Sequence, residues 1–132
     1  MTAGGIYYPT LVEAIAFNEA FIGRRGVRDV GLLESALMRP ASSAFGQDAY
    51  PDLWSKAAAL MHSVIRNHPF MDANKRTSVN LALAFLARNG VDVYRADPEA
   101  LIELAVGIAN DKIDVPEIAV GLRRALADVT TG

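Results

Sequence analysis

The segment Asn67-His68-Pro69-Phe70-Met71-Asp72-Ala73-Asn74-Lys75-Arg76-Thr77 separates two long apolar stretches and dictates how they can meet. Pro69 disfavours helical geometry at His68, so one helix must stop at Asn67 or His68. The apolar pattern resumes from about Asn74, where a second helix is predicted to start. The polar cluster is thereby confined to a tight loop ending at a helix N-terminus. Free N–H groups and the positive end of the helix dipole meet there, and both attract phosphate. Lys75 and Arg76 add side-chain cations where the dipole favours acids. That conflict costs stability unless an anion visits, so it marks a phosphate site; the plainer alternative is a pair of solvated cations.

The flanking segments read as helices throughout. Thr10 and Glu13 form a capping box for a helix carrying Leu11, Ile15, Phe21 and Ile22, which Gly23 ends. Asp29 caps a short helix through Leu32, Leu33, Ala36 and Leu37, terminated by Pro40. Residues 40–51 are small and turn-prone and read as a surface loop. Pro51 or Asp52 opens a helix with an apolar stripe of Leu53, Ala57, Leu60, Met61, Val64 and Ile65. The helix from Asn74 is apolar nearly all round, which predicts burial at the centre of a bundle, with Gly90 as its stop. Val91, Val93 and Tyr94 suggest an extended connector. Asp97-Pro98 is a cap followed by a first-turn proline for the next helix, and a last helix runs from about Pro116 to Leu126. The tail, Thr130-Thr131-Gly132, is expected to be disordered. The expectation is an all-α domain of about six helices spanning residues 1–132, with no strong strand candidate.

Bulk properties narrow the function classes. A chain of 132 residues without cysteine has neither disulfides nor thiolate metal sites, and at this size it buries ~68% of its unfolded surface without them. Thirteen basic against 15 acidic residues leave a net charge of -2, which argues against a general nucleic-acid or membrane surface. The first ten residues lack the basic and apolar regions of a secretory signal, and no apolar run approaches the ~18 residues that span a bilayer. The default expectation is a soluble cytoplasmic domain.

The chemistry concentrates in the central loop. A neutral imidazole at His68 is suited to taking a proton from an attacking hydroxyl near pH 7. Asp72 reads either as a helix cap or as a magnesium ligand, since Mg²⁺ takes one or two carboxylates and fills its shell with phosphate oxygens and waters. Asn74 orients backbone or a phosphate oxygen, and Phe70 anchors the loop in the core. His62, mid-helix without a polar cluster nearby, reads as structural. Arg24, Arg25 and Arg28 read as a solvated basic loop. Trp54 beside Tyr50 is a partner contact or a rim residue of the core. No GxxxxGK[ST] loop and no kinase signature is present, so nucleotide phosphate chemistry with a histidine base would run on another scaffold.

His68-Pro69-Phe70-Met71-Asp72-Ala73-Asn74-Lys75-Arg76 resembles the signature of the Fic/Doc superfamily, and more closely that of its Doc (death-on-curing) toxins. The segment from Val27 to Leu37 looks like the one that family carries after its first helix, and Leu83 to Val91 looks like its central helix and turn. The resemblance implies a compact helical fold and ATP with Mg²⁺ as substrate. It implies His68 as the base for the target hydroxyl, Asp72 as metal ligand, and Ala73, Asn74, Lys75 and Arg76 as the anion cradle. Residues 40–51 would be a flap that docks the target peptide.

The broader pattern, HPFxxGNGRxxR, belongs to members that commonly transfer AMP. Here Lys75 replaces its second glycine and Val79 stands at its final arginine. Doc toxins share both changes, place ATP the other way round and transfer the γ-phosphate. Their target is a threonine of elongation factor Tu, and its phosphorylation stops translation. AMP transfer to a protein hydroxyl is the alternative. The family's inhibitory motif, [ST]xxxE[GN], has no match here, so the resemblance implies inhibition in trans by a separate Phd-type antitoxin whose segment folds into a groove beside the site.

Overall fold

A computed structural model describes residues 5–127; the tail expected to be disordered lies outside them. Among the described residues six α-helices run in order: α1 (Leu11–Ile22), α2 (Val30–Met38), α3 (Leu53–Asn67), α4 (Asn74–Arg88), α5 (Pro98–Ala109) and α6 (Val115–Ala125). A 3-10 turn, Arg39–Ala41, extends α2, and a short hairpin pairs β1 (Ser43–Ala44) with β2 (Gln47–Asp48).

The buried helix at the centre is α3. It packs against α2, the 3-10 turn, α4, α5 and α6, and every residue from Lys56 to Met61 is buried. Three consecutive alanines, Ala57, Ala58 and Ala59, let neighbouring helices approach on several sides. The sequence pattern assigned that central place to α4, and the structure moves it. Leu81, Ala82, Phe85 and Leu86 are buried, but Lys75, Arg76, Asn80 and Arg88 are exposed, and Val79, Leu83 and Ala84 are half-buried. An apolar helix surface states what could be buried; whether a neighbour covers it is a tertiary matter. One apolar core joins all six helices, with Phe70, Phe85, Leu60, Ile108 and Leu122 fully enclosed.

The predicted helix ends are largely as read. Thr10 and Glu13 complete a capping box, Gly23 takes the left-handed conformation at the end of α1, and Asp29 and Asp97 cap α2 and α5. Helix α6 starts at Val115 because Asp114 and Glu117 form a capping box, a signal the apolar pattern alone passed over. Pro40 sits inside the 3-10 turn that ends α2. Residues 91–93 form no strand. Asn89 ties the chain start to the end of α4, exchanging hydrogen bonds with the backbone N–H and C=O of Tyr7 at 2.9 Å each. Trp54 packs as a half-buried residue at the rim of the core, with the Arg123 guanidinium 5.9 Å from its ring.

Residues 40–51 correct the expectation of a loop without strands. Ser43 pairs with Asp48 and Ala44 with Gln47, around a Phe45-Gly46 turn with positive φ at both residues (54° and 76°). That is the hairpin turn whose twist matches paired strands; it was missed because Phe is not a usual residue for it. Two cations, Lys56 buried and Arg39 half-buried, tie the hairpin down. Lys56 Nζ reaches Asp48 Oδ2 at 3.3 Å and the Pro40 carbonyl at 3.4 Å, and Arg39 Nε donates to the Tyr50 hydroxyl at 2.9 Å.

Candidate active site

Helix α3 ends at His68, which takes the left-handed conformation at φ 51°, donating its N–H to the Val64 carbonyl. An L-residue holds that conformation only where its surroundings enforce it. Here the Arg28 guanidinium donates to the His68 carbonyl from Nε (2.8 Å) and Nη2 (2.6 Å), and also to the Asn67 carbonyl. Arg28 is therefore a cap on the α3 C-terminus, correcting its reading as a merely solvated cation. The same strand of chain clips the loop by its backbone: Arg28 N–H donates to the Pro69 carbonyl at 2.7 Å and Met71 N–H to the Gly26 carbonyl at 2.7 Å. Phe70 is fully buried, the anchor the sequence suggested. The His68 side chain stands at the exposed surface above this rigid base.

Asn74 closes the loop from inside. Its Oδ1 accepts from Phe70 N–H at 3.1 Å and its Nδ2 donates to the Phe70 carbonyl at 3.0 Å, with the residue 6% exposed. Its side chain thus orients backbone. Ala73, with φ 61°, occupies the N-cap of α4, correcting the reading of Asp72 as that cap. Asp72 sits one residue earlier, and its Oδ1 accepts from Ala73 N–H at 2.7 Å. No side chain caps α4, so the first-turn N–H groups of Asn74, Lys75 and Arg76 keep their capacity for an external anion.

Asn18 of α1 sets this corner and was invisible in the sequence. It is 1% exposed, and its Nδ2 donates to the Asp72 carbonyl at 2.9 Å and to Thr77 Oγ1 at 3.1 Å. Its Oδ1 is buried without a hydrogen-bond partner among the described residues. Gly26 packs against it so closely that a Cβ would lie 2.8 Å from Oδ1 and 2.3 Å from Ile22 Cδ1.

His68, Asp72, Ala73, Asn74, Lys75 and Arg76 line one cavity of about 380 Å³. Ile65 and Arg66 on the last turns of α3, Met71, and Ala109 at the end of α5 complete its wall; neither Arg66 nor Ala109 carries a local sequence signal for it. Arg76 is held by its guanidinium 5.0 Å from the Phe21 ring. No cluster of three metal-ligating side chains occurs among the described residues. A divalent ion here would rest on Asp72 with phosphate oxygens and waters, a donor set that fits Mg²⁺.

His62 is more than an isolated core histidine. Arg39 Nη1 lies 2.7 Å from its Nδ1 and 3.1 Å from Ser63 Oγ, and Asp114 Oδ1 lies 3.7 Å from its Nε2. Arginine cannot accept, so Nδ1 is the acceptor and the ring proton sits on Nε2. Burial first, and then the Arg39 guanidinium, hold the imidazole below its ordinary pKa, with Asp114 pulling the other way. The polar cluster absent from the sequence neighbourhood is supplied by the 3-10 turn and the start of α6.

Residues 8–86 match the Fic/DOC family. The chain is 44% identical over 119 residues to "Toxin Doc" of Mycolicibacterium smegmatis, covering 86% of this chain and 88% of that protein. It is 39% identical over 116 residues to "Protein kinase doc" of Escherichia phage P1, covering 85% and 90%. The histidine loop, its uncapped helix and these two identities carry one conclusion: the chain belongs to the Fic/DOC family.

Proposed function

We propose that this chain is the toxin of a toxin–antitoxin pair and acts by transferring the γ-phosphate of ATP to a protein hydroxyl. The carrying observation is the single cavity in which His68 faces Asp72, Lys75 and Arg76 at the uncapped start of α4. The printed names of the two relatives, a toxin and a protein kinase, support the same reading. His68 takes the proton of the acceptor hydroxyl as its oxygen bonds to the γ-phosphorus; the bond from that phosphorus to the β–γ bridging oxygen breaks and ADP leaves. Lys75, Arg76 and the first-turn N–H groups of α4 receive the phosphate charge; Asp72 would hold Mg²⁺, which would supply further charge neutralisation. A loose phosphoryl transition state needs mainly positioning and cations. The acceptor is a threonine of elongation factor Tu, the flap at residues 40–51 docks it, and a Phd-type antitoxin restrains the toxin.

The test uses ATP labelled separately at the α- and γ-phosphates, with Mg²⁺ and elongation factor Tu or, in parallel, a cell lysate. The expected result is γ-label on the protein target with wild type and none with His68→Ala. Transfer of α-label instead would make the chain an AMP transferase, and equal labelling by His68→Ala would remove the histidine from the reaction.

A further inference from the structure

Residues 41–49 of the hairpin are all exposed, so no apolar side chain among them holds it to the bundle. Its attachment rests on polar ties instead. Lys56 holds Asp48 and the Pro40 carbonyl. The other tie is Arg39, whose guanidinium stands between the hairpin and α3. Its Nε donates to the Tyr50 hydroxyl at 2.9 Å, and its Nη1 donates to Ser63 Oγ at 3.1 Å and to His62 Nδ1 at 2.7 Å. The guanidinium carbon lies 5.5 Å from the centroid of the Tyr50 ring. Arg39, Tyr50 and His62 are all half-buried, so these bonds are partly shielded from water. Charged groups reach the His62 ring from several elements. Arg39 comes from the 3-10 turn, Arg66 from α3, Asp111 from the α5–α6 connection and Asp114 from the cap of α6, while Glu34 of α2 lines the same cavity. Asp114 Oδ1 is 3.7 Å from Nε2, and Asp111 Oδ1 is 4.0 Å from Arg66 Nη1. The ring therefore has a guanidinium at one nitrogen and a carboxylate near the other.

We infer that Arg39 is a proton-gated strut: it fastens the Tyr50 end of the hairpin to α3 while His62 is neutral, and releases it when the ring takes a proton. The neutral ring serves the tie because Nδ1 accepts from Arg39. A further proton can go only to Nδ1, which turns that acceptor into a donor and sets a second cation against the guanidinium. The protonated ring has Asp114 as its partner on the opposite side. Burial and then Arg39 hold the ring below its ordinary pKa while the strut is in place. Withdrawing Arg39 removes one of these causes, so the released state binds the proton more tightly and acid favours it. Lys56 does not touch His62 and keeps Asp48 in both states, so the hairpin is loosened rather than lost. The cavity of about 990 Å³ that Arg39 and His62 line also takes in Ala41 and Ser42 at the hairpin base, and it shares Arg66 with the His68 site. The device does not depend on the reaction at His68. On the proposed phosphotransfer reading the hairpin is the docking flap, and acid would then weaken docking of the acceptor.

The chain has no cysteine, so Phe45→Cys places a single thiol on the fully exposed tip of the hairpin for a pH-insensitive rhodamine. Val12→Cys, on the exposed face of α1, carries the same dye as the control. Fluorescence anisotropy of the full-length chain is followed between about pH 7.5 and pH 5.5, beside an NMR titration of the His62 ring. Anisotropy at position 45 is expected to fall by about a third at the midpoint of the ring titration, while position 12 stays unchanged. His62→Gln keeps an amide able to accept from Arg39 and does not titrate, so it should remove the acid response. Arg39→Gln should give the low anisotropy at every pH and raise the midpoint of the ring. A ring that titrates while the hairpin signal stays level would overturn the inference. So would a folded ring that stays neutral down to about pH 4, or an acid response retained in full by His62→Gln. Should either variant fail to fold, judged by its melting curve, the anisotropy and ring titration of the chain with native Arg39 and His62 decide alone.

Discussion

Asn74 commits both ends of its amide to the backbone of Phe70, which makes it the lock of the loop rather than one more ligand. Asn74→Ala leaves two buried backbone groups unpaired and should cost about 1–3 kcal/mol, read by urea denaturation. Activity should fall with it, because His68 and Asp72 lose their fixed spacing. Ala73 presents the opposite case. It holds φ 61°, where a side chain is strained, at the N-cap of α4. Ala73→Gly should stabilise the fold by about 1 kcal/mol, and melting curves will show it as a rise in Tm. His62 adds a pH dependence. Its folded pKa is lowered, so the unfolded chain binds the proton more readily. Stability from this group is present above the ordinary imidazole pKa and is lost as pH falls below it towards the lowered folded value. Tm should therefore drop between about pH 7.5 and pH 5.5, and drop less in His62→Asn.

The flap is an element in tension with its own turn. Phe45 is fully exposed and sits in the left-handed region, where Asn is the favoured residue before Gly. Neither packing nor turn geometry accounts for an aromatic side chain there, whereas contact with a docked protein would. Phe45→Asn should stabilise the hairpin by a few tenths of a kcal/mol up to about 1 kcal/mol. On the proposed phosphotransfer reading, the same change should lower kcat/KM for the protein target while leaving Mg²⁺-ATP binding unchanged. An unaltered kcat/KM would remove Phe45 from target recognition. Helix α3 anchors this hairpin through Lys56 and, at its other end, presents His68, so the hairpin and the His68 loop share one rigid member.

For the molecule as a whole, α3 is where stability and site meet. Leu60 is fully buried at its middle, and Leu60→Ala should cost about 2–5 kcal/mol, a large share of the ~5–15 kcal/mol a domain of this kind holds. Chemical denaturation measures it, and the proposed transferase activity at a temperature near the new Tm should fall in parallel. Much of this architecture could be read from the chain itself. The stops at Gly23 and His68, the start at Asn74, the caps at Thr10, Asp29 and Asp97, and the loop carrying His68, Asp72, Lys75 and Arg76 all follow from interactions within a few residues. Proline sterics, capping and 3.6-residue periodicity act over that range, so neighbouring letters suffice to reveal them. Contacts between distant segments were decided by packing alone. Arg28 meets the His68 carbonyl across 40 positions, Asn18 meets Asp72 across 54, and Arg39 finds His62 across 23. The hairpin needed Lys56 to anchor it, and α3 rather than α4 took the centre because four helices and a turn happen to close around it. Those outcomes depend on which surfaces face each other after the helices dock, and a one-dimensional pattern records only which surfaces are apolar.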